Sequence, residues 1–298
     1  MIDYRDIIKS RELRLRLISG LRYIPSEPYL KMVYRIKSGQ KLNLKKPTTF
    51  CDKQNWLKLH DIHPEYTDLV DKTKAGKYVA RKLGKDISFP ILGTWEHYKE
   101  IDFSSMPEQF VLKCNHDSGS VKVIKDKKTV NHQELEAFFE SRLKMNPYYI
   151  GREYPYRDVH PLIMAEKYMT PKGQKDIEDY KFFCFNGKPE ILFVATDRST
   201  DCKFDFYDMD FHHLDIVNIH PQSGKIHEKP ASFEEMKEIA AKLSEGMEFV
   251  RLDLYEIEGK VYFGEFTFFH GGGFWPMSPS YWETYLGSLI KLGNSNYE

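Results

Sequence analysis

The stretch that most constrains this chain is FVRLDLYEIEGKVYFGEFTFFHGGGF, residues 249 to 274. Two strand-like runs flank EGK. Side chains alternate across a strand, so Arg251 and Asp253 share one face of the first run, and Glu265 and Thr267 share one face of the second. A two-residue loop, Glu258 and Gly259, would set Asp253 opposite Gly264. A three-residue loop that takes in Lys260 sets Asp253 opposite Glu265 and Arg251 opposite Thr267, and this is the register expected. Two carboxylates roughly 5 Å apart across strands repel unless a positive group lies between them, and a hard divalent cation such as Mg2+ meets that need. A solvated hairpin face on which neither carboxylate has a role is the plain alternative.

The remainder of the chain decides between these readings. Its 298 residues suffice for two domains or one lobed domain with a sizeable core. Lys plus Arg and Asp plus Glu both number 44, which argues against a globally basic nucleic-acid binder. Cys51, Cys114, Cys184 and Cys202 are far apart and show no metal-ligand spacing, as expected of free thiols in a reducing cytoplasm. The N-terminal run lacks the apolar core of a signal peptide, and no apolar run is long enough to span a membrane. Its basic residues Arg5, Lys9, Arg11, Arg14, Arg16 and Arg22 suit a solvated helix face, or contact with an anionic surface.

Residues 1–100 read as mostly helical. Thr49 and Asp52 have capping-box spacing, and a helix is expected from Pro64 through Val79 to Gly84. FVLKC and VKVI predict a hairpin around the polar loop NHDSGS, Asn131 caps a helix to about residue 144, and PLIMAEKYM reads as a buried strand. Asn186-Gly187 between aromatic runs predicts a type I′ turn, and KFDFYDMDF continues the meander. Ser232 and Glu235 mark the start of a helix that Gly246 ends. His116 and His270 are candidate general bases, although loop histidines beside glycines are commonly bystanders. The His212-His213 pair has no third metal ligand at recognisable spacing. No nucleophile elbow, P-loop or dinucleotide fingerprint occurs.

FVLKCNHDSG, DYKFFCFNGKP and FVRLDLYEIEGKVYFGEFTFF, taken as a set, make the chain resemble the ATP-grasp superfamily from about residue 41 onward. The likeness is to the teichuronopeptide-biosynthesis branch, found with polysaccharide and capsule genes. It implies an α+β fold: a helical region at 1–100, then two antiparallel lobes, 101–169 and 170–298, that grip ATP. It also implies an ATP- and Mg2+-dependent ligase that activates a carboxylate as its acyl phosphate and joins it to an amine, on a cell-surface polysaccharide or its precursor. Such a protein would be cytoplasmic, or at the inner face of the membrane in contact with polysaccharide machinery.

By that resemblance, Lys72 and Lys113 face the phosphates, and Asn115, His116, Gly119 and Ser120 form a flap over them. Glu166, with the backbone of Lys167 to Met169, reads adenine, and Asp179 approaches the ribose. Lys181 adds charge at the triphosphate, while Arg251 stabilises the transferred phosphoryl group and His270 stands at the acceptor site. Asp253 and Glu265 ligate the metal. Many members carry Asn two residues after the metal-binding Glu; this chain has Thr267, a weaker ligand. HGGGF would approach the acceptor or acyl phosphate. A sugar kinase, a glycosyltransferase and a non-catalytic glycan-binding module are the competing functions.

Overall fold

The computed structural model describes residues 20–170, 177–197 and 200–293. The N-terminal basic residues Arg5, Lys9, Arg11, Arg14 and Arg16, and most of the polar stretch between Met169 and Ile177, lie outside this range.

Two antiparallel sheets carry the fold. The smaller has the order β1 (Ile91–Trp95), β4 (Ile163–Lys167), β2 (Phe110–Cys114), β3 (Val121–Ile124). One face of this sheet is apolar because β2 alternates: Phe110, Leu112 and Cys114 point inward with Ile163 and Ala165, against Leu135 and Phe139 of the helix His132–Leu143. The opposite face carries Val111, Lys113, Met164, Glu166, Val121 and Val123, through the pairings Lys113↔Met164, Val111↔Glu166 and Val111↔Val123. Asn131 caps the helix by accepting from the Glu134 N–H at 3.2 Å. β1 is a strand that the helical reading of residues 1–100 omitted. It is short and its Ile91 is 43% exposed, so it has no periodic signature of its own and is recruited by pairing with β4.

The larger sheet runs β10 (Lys260–Thr267), β9 (Phe249–Ile257), β5 (Asp179–Phe185), β6 (Lys188–Thr196), β7 (Lys203–Asp208), β8 (His213–Leu214). β5 is buried along its whole length, as a central strand covered on both faces must be. One face, with Tyr180, Phe182, Leu192, Leu252 and Leu254, is covered by the helix Phe233–Leu243. The other changes character along its length. It begins with Phe249, Phe185 and Phe183, which meet Phe50 at 5.0, 6.1 and 6.0 Å between ring centroids, and continues as Arg251, Lys181, Asp253 and Asp179. The helix Phe50–His60, started by the expected Thr49–Asp52 capping box, covers the aromatic end.

Three local expectations need revision. The 249–267 hairpin closes with the two-residue loop Glu258-Gly259, at φ of 52° and 72°, because Lys260 pairs with Ile257. The register still sets Asp253 opposite Glu265 and Arg251 opposite Thr267, because a bulge at Gly264 supplies the extra residue. The helix after Pro64 is two helices, Tyr66–Val70 and Ala75–Leu83. Asp71 breaks it by accepting from the Thr73 N–H at 2.9 Å and hydroxyl at 2.7 Å. Ser232 starts its helix without capping it, since its hydroxyl donates to Glu256 instead. The Asn186-Gly187 turn forms as expected, with φ of 50° and 80°.

A Cβ at Gly264 would come within 2.7 Å of the Tyr255 ring and 3.0 Å of the Asp253 carbonyl oxygen. Gly264→Ala should therefore cost about 1–3 kcal/mol, seen as a lower urea midpoint at unchanged slope.

Candidate active site

β5, β9 and β10 bring six polar side chains onto one patch. Arg251 lies between the two carboxylates of the hairpin. Its Nε donates to Asp253 Oδ1 at 2.7 Å and its Nη2 to Asp253 Oδ2 at 2.8 Å, a bidentate fork. Nη2 also donates to Thr267 Oγ1 at 3.0 Å and lies 3.6 Å from Glu265 Oε1. The register pair Lys181↔Asp253 places the Lys181 ammonium against Asp253, and it reaches Asp179 at 2.6 Å as well. Burial would raise the Asp253 carboxyl, but Arg251 and Lys181 outweigh it and hold it at about 2. Burial likewise opposes the Arg251 charge, and Asp253 with Glu265 more than restores it.

The positive group predicted between the carboxylates is therefore present in the chain itself. Both oxygens of Asp253 are already taken, whereas Glu265, whose side chain is 31% exposed, has among the described residues the long contacts to Arg251 at 3.6 Å and Lys72 at 3.7 Å. Hard carboxylate oxygens on one open face suit Mg2+, with Glu265 the more available of the two.

His270 is 3% exposed and does not stand free as a general base would. Burial, then the neighbouring Arg251, push its pKa well below the ordinary value, so the ring is neutral. Nδ1 accepts from Arg251 Nη1 at 3.0 Å while Nε2 donates to Asn218 Oδ1 at 2.8 Å, which makes His270 a brace for the guanidinium. Gly271, Gly272 and Gly273 follow with φ of 57°, 64° and 65°. Their carbonyls face the helix Phe50–His60: Lys58 Nζ donates to Gly272 O at 2.5 Å and Asn55 Nδ2 to Gly273 O at 2.7 Å. A Cβ at Gly273 would meet Asn55 Nδ2 at 2.8 Å, so at this position the glycine serves close backbone packing.

On the smaller sheet, Lys113 and Glu166 pair at 2.6 Å, both largely buried, within a face whose Ile91, Val121 and Val123 are 43 to 48% exposed. Lys167 is exposed and its N–H is taken by Pro90 O at 2.9 Å, while Met169 is half-buried just beyond the strand. The 115–120 loop is tied down by its side chains. Asn115 Nδ2 donates to Asp71 Oδ1 at 2.9 Å, the buried His116 contacts the Arg142 and Met145 carbonyls at 3.3 and 3.2 Å, and Ser120 bonds Asp117. Gly119 turns the loop at φ 87°. Lys72 bridges to the large sheet: its Nζ donates to Asp117 O at 2.8 Å and approaches Glu265 at 3.7 Å.

The structure thus gathers Lys72, Lys181, Arg251, Asp253, Glu265 and Thr267 in one cluster, and pairs Lys113 with Glu166 on the smaller sheet. A cavity of about 330 Å3 adjoins them, lined by Asp117, Arg142, Glu153, Tyr156, Arg251, Glu265, Thr267, Gly271 and Gly272. Arg142, Glu153 and Tyr156 carried no motif; they come from a helix end and a short turn that only the tertiary fold brings here.

An antiparallel sheet bearing a paired lysine and glutamate, linked through Lys72 and the 115–120 loop to a second sheet with an arginine-braced carboxylate hairpin, makes an α+β architecture of two antiparallel sheets. The chain belongs to the TupA-like ATP-grasp family, whose sequence model matches residues 52–291. No curated protein matches the sequence. Among solved structures it is similar to D-alanine–D-alanine ligase from Bacillus anthracis complexed with ATP (17% identity over 67% of this chain and 53% of that one, TM-score 0.39). It is also similar to D-alanine–D-alanine ligase from Helicobacter pylori (16%, 75% and 59%, 0.42), and to N5-carboxyaminoimidazole synthase from Aspergillus clavatus in complex with ADP and its ribonucleotide (13%, 69% and 46%, 0.38). The alignment thus spans little more than half of the two D-alanine ligases and under half of the synthase. At these scores the likenesses add nothing to the family assignment, which rests on the match over residues 52–291.

Asp253 supports stability that is present above its unfolded pKa, near 3.8, and is lost as pH falls toward about 2. Asp253→Asn should remove that part of the acid dependence and cost about 3–5 kcal/mol at neutral pH, since it strips a buried partner from Arg251 and Lys181. Urea unfolding of both proteins between pH 2 and 7 checks this.

Proposed function

We propose that the protein is an ATP- and Mg2+-dependent carboxylate–amine ligase that works through an acyl phosphate. The observation that carries the reading is the ionic patch around Arg251, with Lys72 running from Glu265 to the Asp117 carbonyl of the loop after the strand whose Lys113 pairs with Glu166. The apolar surface around Glu166 suits a base, and Lys72, Lys113 and Lys181 suit a polyphosphate. Glu265 and Asp253 would hold Mg2+, which when bound supplies neutralisation of the phosphate charge.

A carboxylate oxygen of the donor attacks the γ-phosphorus, and the bond to the β-phosphate oxygen breaks, leaving ADP. The acceptor amine then adds to the acyl carbon, phosphate departs with the bonding pair, and the amine loses a proton. Arg251, fixed by Asp253, Thr267 and His270, is preorganised to stabilise charge on the transferring phosphoryl group and on the tetrahedral oxyanion. Family membership supports substrates that belong to a cell-surface polysaccharide or its precursor. We place the reaction in the cytoplasm, where ATP is supplied; among the described residues no helix is long and apolar enough to cross a membrane.

Incubation with ATP and panels of uronic-acid and amino-acid substrates should give ADP, phosphate and a product heavier by condensation with loss of water. ADP with a stable phosphate ester would instead mark a kinase. Arg251→Lys loses the fork and should lower turnover by about 100-fold or more while the affinity for Mg2+ and AMP-PNP changes only a few-fold. His270→Gln, able both to accept and to donate, should leave the pH profile of turnover unshifted; a lost ionisation would show that His270 is a base.

A further inference from the structure

Residues 221–230, between β8 and the helix Phe233–Leu243, form neither strand nor helix. They cross the back of the larger sheet. Asp205 pairs with Val194 and Val194 with Tyr180, so Asp205, Tyr207 and Tyr180 share the face that the helix covers, opposite Lys181 and Arg251. The one large aliphatic side chain of the stretch, Ile226, is 83% exposed, and Lys225, Glu228 and Lys229 are exposed as well, so apolar burial does not hold it down.

Polar contacts do. The His227 N–H donates to Tyr207 Oη at 2.9 Å, the Ser223 N–H to Asp205 Oδ1 at 2.9 Å, and Pro221 O accepts from the Phe204 N–H at 3.1 Å. The His227 ring stands between two carboxylates: Nε2 is 3.0 Å from Asp205 Oδ2 and Nδ1 is 3.3 Å from Glu178 Oε1. A neutral imidazole has one N–H and one lone pair, so it can serve only one of them; the imidazolium donates to both. The geometry is therefore that of a charged ring. Both carboxylates are braced from behind, Asp205 by Ser223 and Glu178 by the Tyr180 hydroxyl at 2.6 Å. From the other elements packed here, His213 of β8 lies 4.0 Å from Asp205 Oδ1, Lys229 pairs with Glu234 of the helix at 2.7 Å, and Glu256 of β9 accepts from the Ser232 N–H at 2.8 Å.

Contact with Glu178, then with Asp205, raises the His227 pKa above its ordinary value near 6.5 in spite of burial, and contact with His227 lowers that of Glu178. A histidine with a raised folded pKa contributes stability that is complete below the unfolded value and is lost as pH rises through the folded one. Loss of the proton sets a lone pair against one carboxylate and breaks the central attachment of the stretch.

We infer that residues 221–230 are a strap fastened by the His227 imidazolium, and that the strap lifts from the back of the sheet when the ring is deprotonated. Release uncovers Asp205 and Tyr207 and frees Glu178, one residue before the Asp179 that holds Lys181. The strap lies on the face away from the ionic patch, so its release does not depend on the ligase reading.

The test follows the full chain from about pH 5.5 to 9, with the His227 ring read by NMR and the strap by amide hydrogen exchange, each rate divided by the intrinsic rate at that pH. His227 should titrate above 6.5, and protection in 221–230 should fall about tenfold or more at the same midpoint, while 110–114 and 249–257 stay protected. Glu178→Gln should move both midpoints down together. His227→Gln should leave the strap weakly protected at every pH, without a step. Retained protection in 249–257 shows that each variant is folded; if His227→Gln is not, the wild-type and Glu178→Gln titrations decide. Titration of His227 at or below 6.5, strap protection that does not follow it, midpoints unmoved by Glu178→Gln, or a step that persists in His227→Gln overturns the inference.

Discussion

The bidentate contact of Arg251 with Asp253 is the interaction on which the site depends. Two carboxylates opposed across a hairpin would push the strands apart, and a guanidinium whose fork closes on one and whose edge approaches the other turns that repulsion into a fixed geometry. His270 and Thr267 then leave Arg251 little freedom to turn. The face is a rigid ionic surface before any ligand arrives, which is what electrostatic stabilisation of a transferring group requires.

The two sheets meet this surface differently. The larger one supplies it directly from β5, β9 and β10, whereas the smaller one reaches it through a loop and a lysine. The break at Asp71 makes this possible. Asn115 from the loop binds Asp71, the Lys72 N–H donates to Asn115 O at 3.3 Å, and the Lys72 side chain runs from Asp117 O toward Glu265. An uninterrupted helix at 71–74 would leave no such turn from which to project Lys72.

Much of this architecture could be read from residue pattern alone. Alternation along β2, β5 and β9, the Asn-Gly turn and the cap at Thr49 report local physics, and local physics prevailed there. The hairpin register came out as expected for a different reason: the extra residue is the bulge at Gly264, and a lone glycine inside a strand is a signal for a bulge. Asp71 was legible in principle too, as an Asx turn within an apparently helical run. Ser232 was not, because the carboxylate that took its hydroxyl, Glu256, arrives from a strand 24 residues away. Arg142 and Glu153 were illegible for the same reason, since nothing in their spacing says that they share a cavity. The position of His270 beside the glycines was visible, but its burial against Phe183 and Phe193, at 4.8 and 5.6 Å, depends on the packed sheet and recasts it from a base into a brace.

If the two sheets grip one nucleotide, ligand binding must quieten both at once. Hydrogen–deuterium exchange with and without Mg2+ and AMP-PNP measures this directly. Protection is predicted to rise together in 110–124, in 163–169 and in 249–267, and to require Mg2+ for its full extent. Protection confined to one sheet, or no change in either, would contradict the account.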